Sequence, residues 1–449
     1  MSHDLSFMSV NELRRQLSSG AVSAKELLDV RRRRIRKLND KLNAFITVFG
    51  EASASGRHSA RRTPLLGITI SLKDNIYVKG HRTTAGSRVL DRFVPTRDAD
   101  IVVRLKGAGA VLLGKTNLHE FAFGVTNINP FFGDCRNPWD RERVSGGSSG
   151  GSAVAVASGM SCAAVGTDTA GSVRIPASLC GVVGYKPTYG LISRRGIVPL
   201  SWSLDTVGFL TRSVEDAAFL TSLVCDGSTT IRRCRPIRLR GLRIGVPRNM
   251  LQEVEEDVRL RYEDALALAE DAGAKLVRFD FPYVGETIAC RSLITHAEAA
   301  SYHRRYFFEK YTQYSAELRK RLAQGLAIPA AVYLDAQRAR GPLIERYMSI
   351  FRIADLIALP TTPTAAPTIR DSKNGETSKK IRAALLTFTE PFNVYGAPAI
   401  SIPCGLTRRK LPVGLQLAGN LNSDNLLLSA ALSLERLLPN DLRLVPSAV

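Results

Sequence analysis

Histidine is scarce in this chain, at six residues in 449. A serine hydrolase of the serine–histidine–acid kind needs a histidine as its base. Only His296 and His303 follow the serine-rich segments, and both stand in arginine-rich, helical surroundings. Cysteine offers no staple either. The seven residues, at 135, 162, 180, 225, 234, 290 and 404, are odd in number and widely spread, and no Cys-x-x-Cys pair occurs. Reduced, buried thiols are therefore expected, not a disulfide framework or a zinc site. His119-Glu120 has no histidine three residues further on, so it is not a metalloprotease box, and no metal ligand set is expected. No apolar run approaches the roughly 18 residues of a membrane helix. Met1 to Val10 lacks a basic stretch followed by an apolar one. No signal peptide and no membrane partner are expected, and the cytoplasm is the expected compartment. Internal repeats and low-complexity tracts are missing too.

The rest of the composition is globular, 45% hydrophobic and 23% charged, with length enough for a large core. The net charge of +21 is the exception. Basic residues cluster at Arg31 to Lys37, on an expected helix, and at Arg232 to Arg243, in an expected linker. Neither cluster carries interleaved aromatics or a recognition motif. The expectation is a solvated arginine-rich surface with no nucleic-acid partner.

Ser9-Val10-Asn11-Glu12 and Ser23-Ala24-Lys25-Glu26 read as capping boxes opening helices over about 10–18 and 24–39, parted by Gly20. Leu65 to Leu72 is a short apolar run that places Lys73 at a strand end. Helix is expected over Ile101 to Lys106 and strand over Ala110 to Leu113. Ser152 to Ser158 reads as a small-residue helix, and Cys162 to Val165 as the next strand. Gly227 to Arg240 reads as a linker, Gly241 to Pro247 as a strand, and Val254 to Ile353 as largely helical. Ala354 to Leu359 and Ala399 to Pro403 read as further core strands. Such alternation argues for α/β architecture, with a mostly parallel or mixed sheet covered on both faces.

Two motifs mislead. Gly109 to Thr116 fits the P-loop pattern, yet its central residues Ala110-Val111-Leu112-Leu113 make a strand, not a phosphate-wrapping loop. Gly146-Gly147-Ser148-Ser149-Gly150 fits the nucleophile elbow, yet Trp139 to Arg143 before it is no apolar strand.

A different constellation stands out. Ser148 lies in Ser145-Gly146-Gly147-Ser148-Ser149-Gly150-Gly151-Ser152, and Ser172 closes Gly166-Thr167-Asp168-Thr169-Ala170-Gly171-Ser172. Lys73 sits in Ser71-Leu72-Lys73-Asp74-Asn75. A serine is a weak nucleophile until a base takes its proton. Two glycine-flanked serines and a lysine can supply nucleophile, relay and base without histidine.

These segments, with Gly114-Lys115-Thr116-Asn117, Arg136-Asn137-Pro138-Trp139, Gly184-Tyr185-Lys186-Pro187 and Leu411 to Gln416, resemble the amidase signature family over nearly the whole chain. The resemblance implies an α/β/α sandwich with a central mixed sheet, in one domain over 1–449. Within it, 1–60 would be N-terminal helices, 61–225 the catalytic core, 245–353 a variable helical insert near the substrate pocket, and 354–449 the rest of the core. It implies Ser172 as nucleophile, Ser148 as relay after a cis Gly147–Ser148 bond, and Lys73 as a base kept neutral by burial. Backbone amides of Thr169, Ala170, Gly171 and Ser172 would form the oxyanion hole. Ala170 replaces the family's commoner glycine, and Phe209 follows Gly208 where many members have proline. Asp168 and Arg174 would hold the loop by pairing. Phe123, Gly124 and Arg340 would bind substrate. No cofactor is implied.

The activity expected is that of a stand-alone hydrolase cleaving amide-type C–N bonds through an acyl-serine, on a small-molecule amide or carbamate, with a homodimer left open. Six aromatics, Tyr302, Tyr306, Phe307, Phe308, Tyr311 and Tyr314, admit helix packing or an aryl pocket; the latter favours anilides, aryl amides or carbamates over glutamine. The other reading is the glutaminase subunit of a tRNA-dependent amidotransferase, which the +21 charge would suit. Against it, such subunits carry a Tyr-Asp-Gly-Val-Arg-Tyr-Gly-like segment where this chain reads Ala297 to His303.

Overall fold

Both capping boxes form. Ser9 and Ser23 accept from the backbone N–H of Glu12 and Glu26, whose carboxylates accept from the serine N–H groups in return. They open the helices Val10–Ser19 and Ala24–Leu42, and Gly20 ends the first in the left-handed region at φ 77°. The computed structural model describes residues 4–50, 63–225, 231, 234–439 and 446. Parts of the expected N-terminal segment and of the Gly227 to Arg240 linker lie outside the described residues.

Eleven strands form one sheet: β1 (Phe45–Val48), β2 (Thr69–Lys73), β3 (Val111–Thr116), β4 (Ala163–Asp168), β5 (Val183–Lys186), β6 (Thr206–Thr211), β7 (Arg243–Pro247), β8 (Lys275–Phe279), β9 (Leu356–Pro360), β10 (Ala399–Leu406) and β11 (Pro412–Ala418). Their order is β1-β3-β2-β4-β6-β5-β10-β11-β9-β7-β8. β2 runs parallel to β3 and β4, and β7 parallel to β8 and β9, while the central strands pair antiparallel. This is the expected mixed sheet. Its two faces are told apart by the two-residue period of a strand. Leu356 and Ala358 pack with Val258 and Tyr262 of the helix Glu256–Asp271. Ile357 and Leu359 pack with Ile294 and Tyr347 on the opposite face.

Several elements differ from expectation. β2 starts at Thr69, four residues late, because Gly67 turns the chain at φ 76°. β3 continues through Lys115, so the P-loop lookalike is a strand with its lysine paired to Asp74 at 2.8 Å. The region expected to be helical includes β8, whose edge position leaves Lys275 and Arg278 exposed. Of the first basic cluster, Arg33, Arg36 and Lys37 are exposed, but Arg31 is fully buried. It donates to the carbonyls of Leu5, Ser6 and Gly159 and so ties the segment before the first helix to the turn that precedes β4. All seven cysteines are free.

The aromatic run resolves into packing. Phe307 and Tyr314 enter a core cluster with Val89 and Phe121, whereas Phe308 is 74% exposed. Phe307 makes edge-on contacts with Phe308 and Tyr311, so these rings pack on one another. His303 Nδ1 lies 2.9 Å from Tyr314 Oη, so it belongs to this core.

The helix Gly150–Ala157 carries only small side chains because it lies close to its neighbours. A Cβ on Gly151 would come within 2.4 Å of Ala44 O and 2.5 Å of Asn117 N. Both are backbone atoms that cannot swing away. Gly151→Ala should therefore lower unfolding free energy by about 2 kcal/mol, seen as an earlier denaturation midpoint. An unchanged midpoint would mean that this helix can shift freely.

Candidate active site

β2 delivers Lys73 to the sheet's interior between β3 and β4, with no exposed surface. Lys73 Nζ lies 2.7 Å from Ser148 Oγ, 2.8 Å from Thr167 Oγ1 and 3.3 Å from Thr167 O. Among the described residues no carboxylate is in salt-bridge contact with it. Burial pushes its pKa down from 10.5 to about 7, against the weaker pull of Asp205 and Asp168. A neutral amine has two N–H groups and one lone pair. Thr167 offers two acceptors, so the lone pair is left for the Ser148 O–H, which then donates.

Ser148 follows a cis Gly147–Ser148 peptide. A Cβ on Gly147 would meet Asn127 N at 2.9 Å, so glycine is required by close approach. The Ser148 carbonyl accepts from His119 N–H at 3.2 Å. Ser149 N–H donates to the Ser172 carbonyl at 3.1 Å and stitches the two serine loops together.

The Ser172 loop is shaped by one ion pair. Asp168 Oδ1 accepts from Gly171 N–H at 2.8 Å, and Oδ2 from Val173 N–H at 3.1 Å. Arg174 meets the same carboxylate through Nε at 3.1 Å and Nη2 at 2.9 Å, with both residues fully buried. Burial alone would raise the Asp168 pKa, but Arg174 beside it holds the carboxyl well below its usual range. The Gly171 amide is thus engaged, whereas those of Thr169, Ala170 and Ser172 take no partner among the described residues. Positive φ falls on Gly171, at 126°, and not on Ala170, which explains why a Cβ is tolerated there.

Gly124 lies against His119, and Phe123 against His296 and Arg321. A Cβ on Gly124 would strike the His119 ring at 2.2 Å, and His119 in turn holds Ser148. Arg340, on the helix Ala330–Ile350, donates through Nε and Nη2 to Val394 O at 3.3 and 3.2 Å. Its described contacts join none of the three principal residues. Sequence reasoning missed the roles of Thr167 and Asp205. Thr167 was legible in its motif only as a neighbour. Asp205 carried no local signal; it accepts from Thr169 Oγ1 at 2.6 Å and from the N–H groups of Leu200 and Ser201.

The family model Amidase matches residues 26–428. The A subunit of glutamyl-tRNA(Gln) amidotransferase from Prochlorococcus marinus is 36% identical, covering 94% of this chain and 96% of that protein. The solved structure of the same amidotransferase's A subunit from Thermotoga maritima is 35% identical with a TM-score of 0.87, covering 100% of this chain and 99% of that one. A solved structure named an amidase is 34% identical with a TM-score of 0.89, covering 96% of this chain and 100% of that one. The near-complete likeness to the amidotransferase proteins overturns the expectation of a stand-alone small-molecule amidase. The aryl preference, which belonged to that expectation, falls with it.

The negative charge of Asp205 favours protonated Lys73. Asp205→Asn should lower the Lys73 pKa and move the rising limb of a pH–rate profile to lower pH. A limb that stays put or moves to higher pH would show that the carboxylate does not reach the amine.

Proposed function

The chain belongs to the amidase family, whose enzymes hydrolyse C–N bonds, and on that premise we propose that it is the glutamine-hydrolysing subunit of a tRNA-dependent amidotransferase. The observation that carries this reading is the 36% identity to the Prochlorococcus marinus protein over 96% of that protein's length. The excess of positive charge suits a complex that handles tRNA.

In this reading Ser172 attacks the glutamine side-chain carbonyl. Its proton passes to Ser148 while Ser148 gives its own to Lys73. The free amides of Thr169, Ala170 and Ser172 receive the developing oxyanion. Ser148 then protonates the leaving nitrogen, and ammonia departs to a partner subunit. Water, deprotonated through the same relay, releases glutamate from Ser172. The 2.7 Å contact between Lys73 and Ser148, inside a site that favours a neutral amine, supports the proton path. Phe123 and Gly124 wall the acyl side. The stretch Ala297 to His303, which departs from the segment expected of glutaminase subunits, is used for packing here. Ala299, Ala300 and His303 are buried, and Glu298 accepts from Ser201 Oγ and Tyr333 Oη.

The test is ammonia release from glutamine by the chain alone and with the remaining amidotransferase subunits and tRNA charged with glutamate. Turnover in either preparation is expected, with Ser172→Ala reducing it by at least about a thousandfold. Absence of glutamine turnover in both preparations, beside hydrolysis of another amide, would overturn the reading.

Because Lys73 must be neutral to accept a proton, kcat/KM should rise as pH climbs through about 7 and level off above it. A profile flat across that window would remove Lys73 as the base.

A further inference from the structure

The loop from Leu200 to Asp205 joins the helical segment to the Ser172 loop. Its last residue, Asp205, stands one position before β6 begins. Asp205 Oδ1 accepts from Thr169 Oγ1 at 2.6 Å, and Oδ2 from the N–H groups of Leu200 at 2.9 Å and Ser201 at 3.1 Å. The same loop is gripped by Glu298, on the helix Val284–Glu309. Glu298 Oε2 accepts from Ser201 Oγ at 2.6 Å and from Ser203 N–H at 3.0 Å. Oε1 accepts from Ser203 Oγ, from Tyr333 Oη at 2.9 Å and from Gln337 Nε2 at 3.1 Å. Ser201 thus stands between two carboxylates, its hydroxyl on one and its N–H on the other.

Glu298 is buried, and the five donor groups on its carboxylate are all uncharged. A buried carboxylate is costly unless its acceptors are filled. Three of the five donors belong to Ser201 and Ser203, so Glu298 fixes the backbone of that loop and not only its own helix. Leu200 and Leu204 pack into cores. Trp202 and Asp205, however, line a cavity of about 450 Å³ together with Thr167, and into it the loop has room to move.

The place of Asp205 matters twice. Its bond to Thr169 Oγ1 holds the residue whose amide receives the developing oxyanion in the proposed reaction. A donor misplaced by about 1 Å loses much of its effect. The charge of Asp205, with that of Asp168, also favours protonated Lys73. His119 senses Lys73 as well, but burial keeps it neutral, and Arg194 acts on Asp205 itself.

We propose that Glu298 is a positioning residue: by holding Ser201 and Ser203 it aims Asp205 at Thr169, and so lets the helical segment set the oxyanion-binding amides and the charge beside Lys73. This rests on the roles proposed for Ser172, Lys73 and the Thr169 amide, and not on which amide is cleaved.

Two readouts on the full chain separate positioning from mere stability. The first is steady-state hydrolysis of glutamine. The second is the rate at which a fluorophosphonate labels Ser172, whose oxygen displaces fluoride at phosphorus. It reports on the same amides and the same base whatever the substrate. Glu298→Ala should lower kcat and the labelling rate about tenfold with KM within about twofold, and should move the rising limb of both pH profiles to lower pH. Glu298→Gln, which keeps one acceptor oxygen, should recover part of the loss. In the Asp205→Asn protein, adding Glu298→Ala should cost little more, because both changes break one chain of contacts. Ser201→Ala removes a single hydroxyl and should show the same direction of change, which keeps the test open if melting curves show that Glu298→Ala does not fold. A limb that stays in place, or losses that multiply in the double variant, would overturn the proposal. So would a wild-type chain that the fluorophosphonate does not label. Labelling of Ser172 without glutamine turnover would sink the glutaminase reading, and the labelling rates alone would then decide the role of Glu298.

Discussion

The buried pair of Asp168 and Arg174 is the constraint on which the site depends. One carboxylate gathers the backbone N–H groups of Gly171 and Val173, so the Ser172 loop folds around it. The guanidinium reaches outward to Thr389 O, Gln416 Oε1 and Asn393 Oδ1, and anchors that loop to β11 and to the segment before β10. Removing one partner would leave a bare charge in the core, which is far more damaging than losing a surface pair. The loop that presents Ser172 is therefore rigid because it is wired to distant parts of the chain, not because of its own sequence.

Among the described residues three lysines are fully buried, and each is handled differently. Lys115 has Asp74 at 2.8 Å and so keeps a counter-charge. Lys73 and Lys186 have no such partner among the described residues, and burial lowers both to about 7. Lys186 donates only to Pro187 O in the described structure. Lys73 instead faces Ser148. The same desolvation acts on both amines, so it is the neighbouring hydroxyl that distinguishes a proton acceptor from a buried strand residue.

The helical segment 284–350 contributes to the site through charge and packing. Phe307 and Tyr314 pack in a core around Phe121 and His303 while Phe308 stays exposed, and Arg291 and Arg321 pair with Glu390 and Glu317. Ring counting in the sequence suggested aryl substrates, whereas in the fold Phe307 and Tyr314 are buried members of a core cluster.

What the sequence determined by itself is local or strongly patterned. The capping boxes at Ser9 and Ser23 close within a single helical turn, so they were readable residue by residue. The helices, the apolar strands β2, β3 and β4, and the resemblance carried by the two serine loops and Lys73 were legible for the same reason. Antiparallel pairing of the short strands β5 and β6, and the edge strand β8 inside an otherwise helical stretch, depend on partners far along the chain. Only the tertiary structure decided that Lys73 also meets Thr167, that Arg291 pairs with Glu390, and that Asp205 reaches Thr169. Those outcomes rest on burial and on contacts between residues tens to hundreds of positions apart, such as Arg174 with Gln416, and no local pattern encodes the desolvation that turns Lys73 into a candidate base.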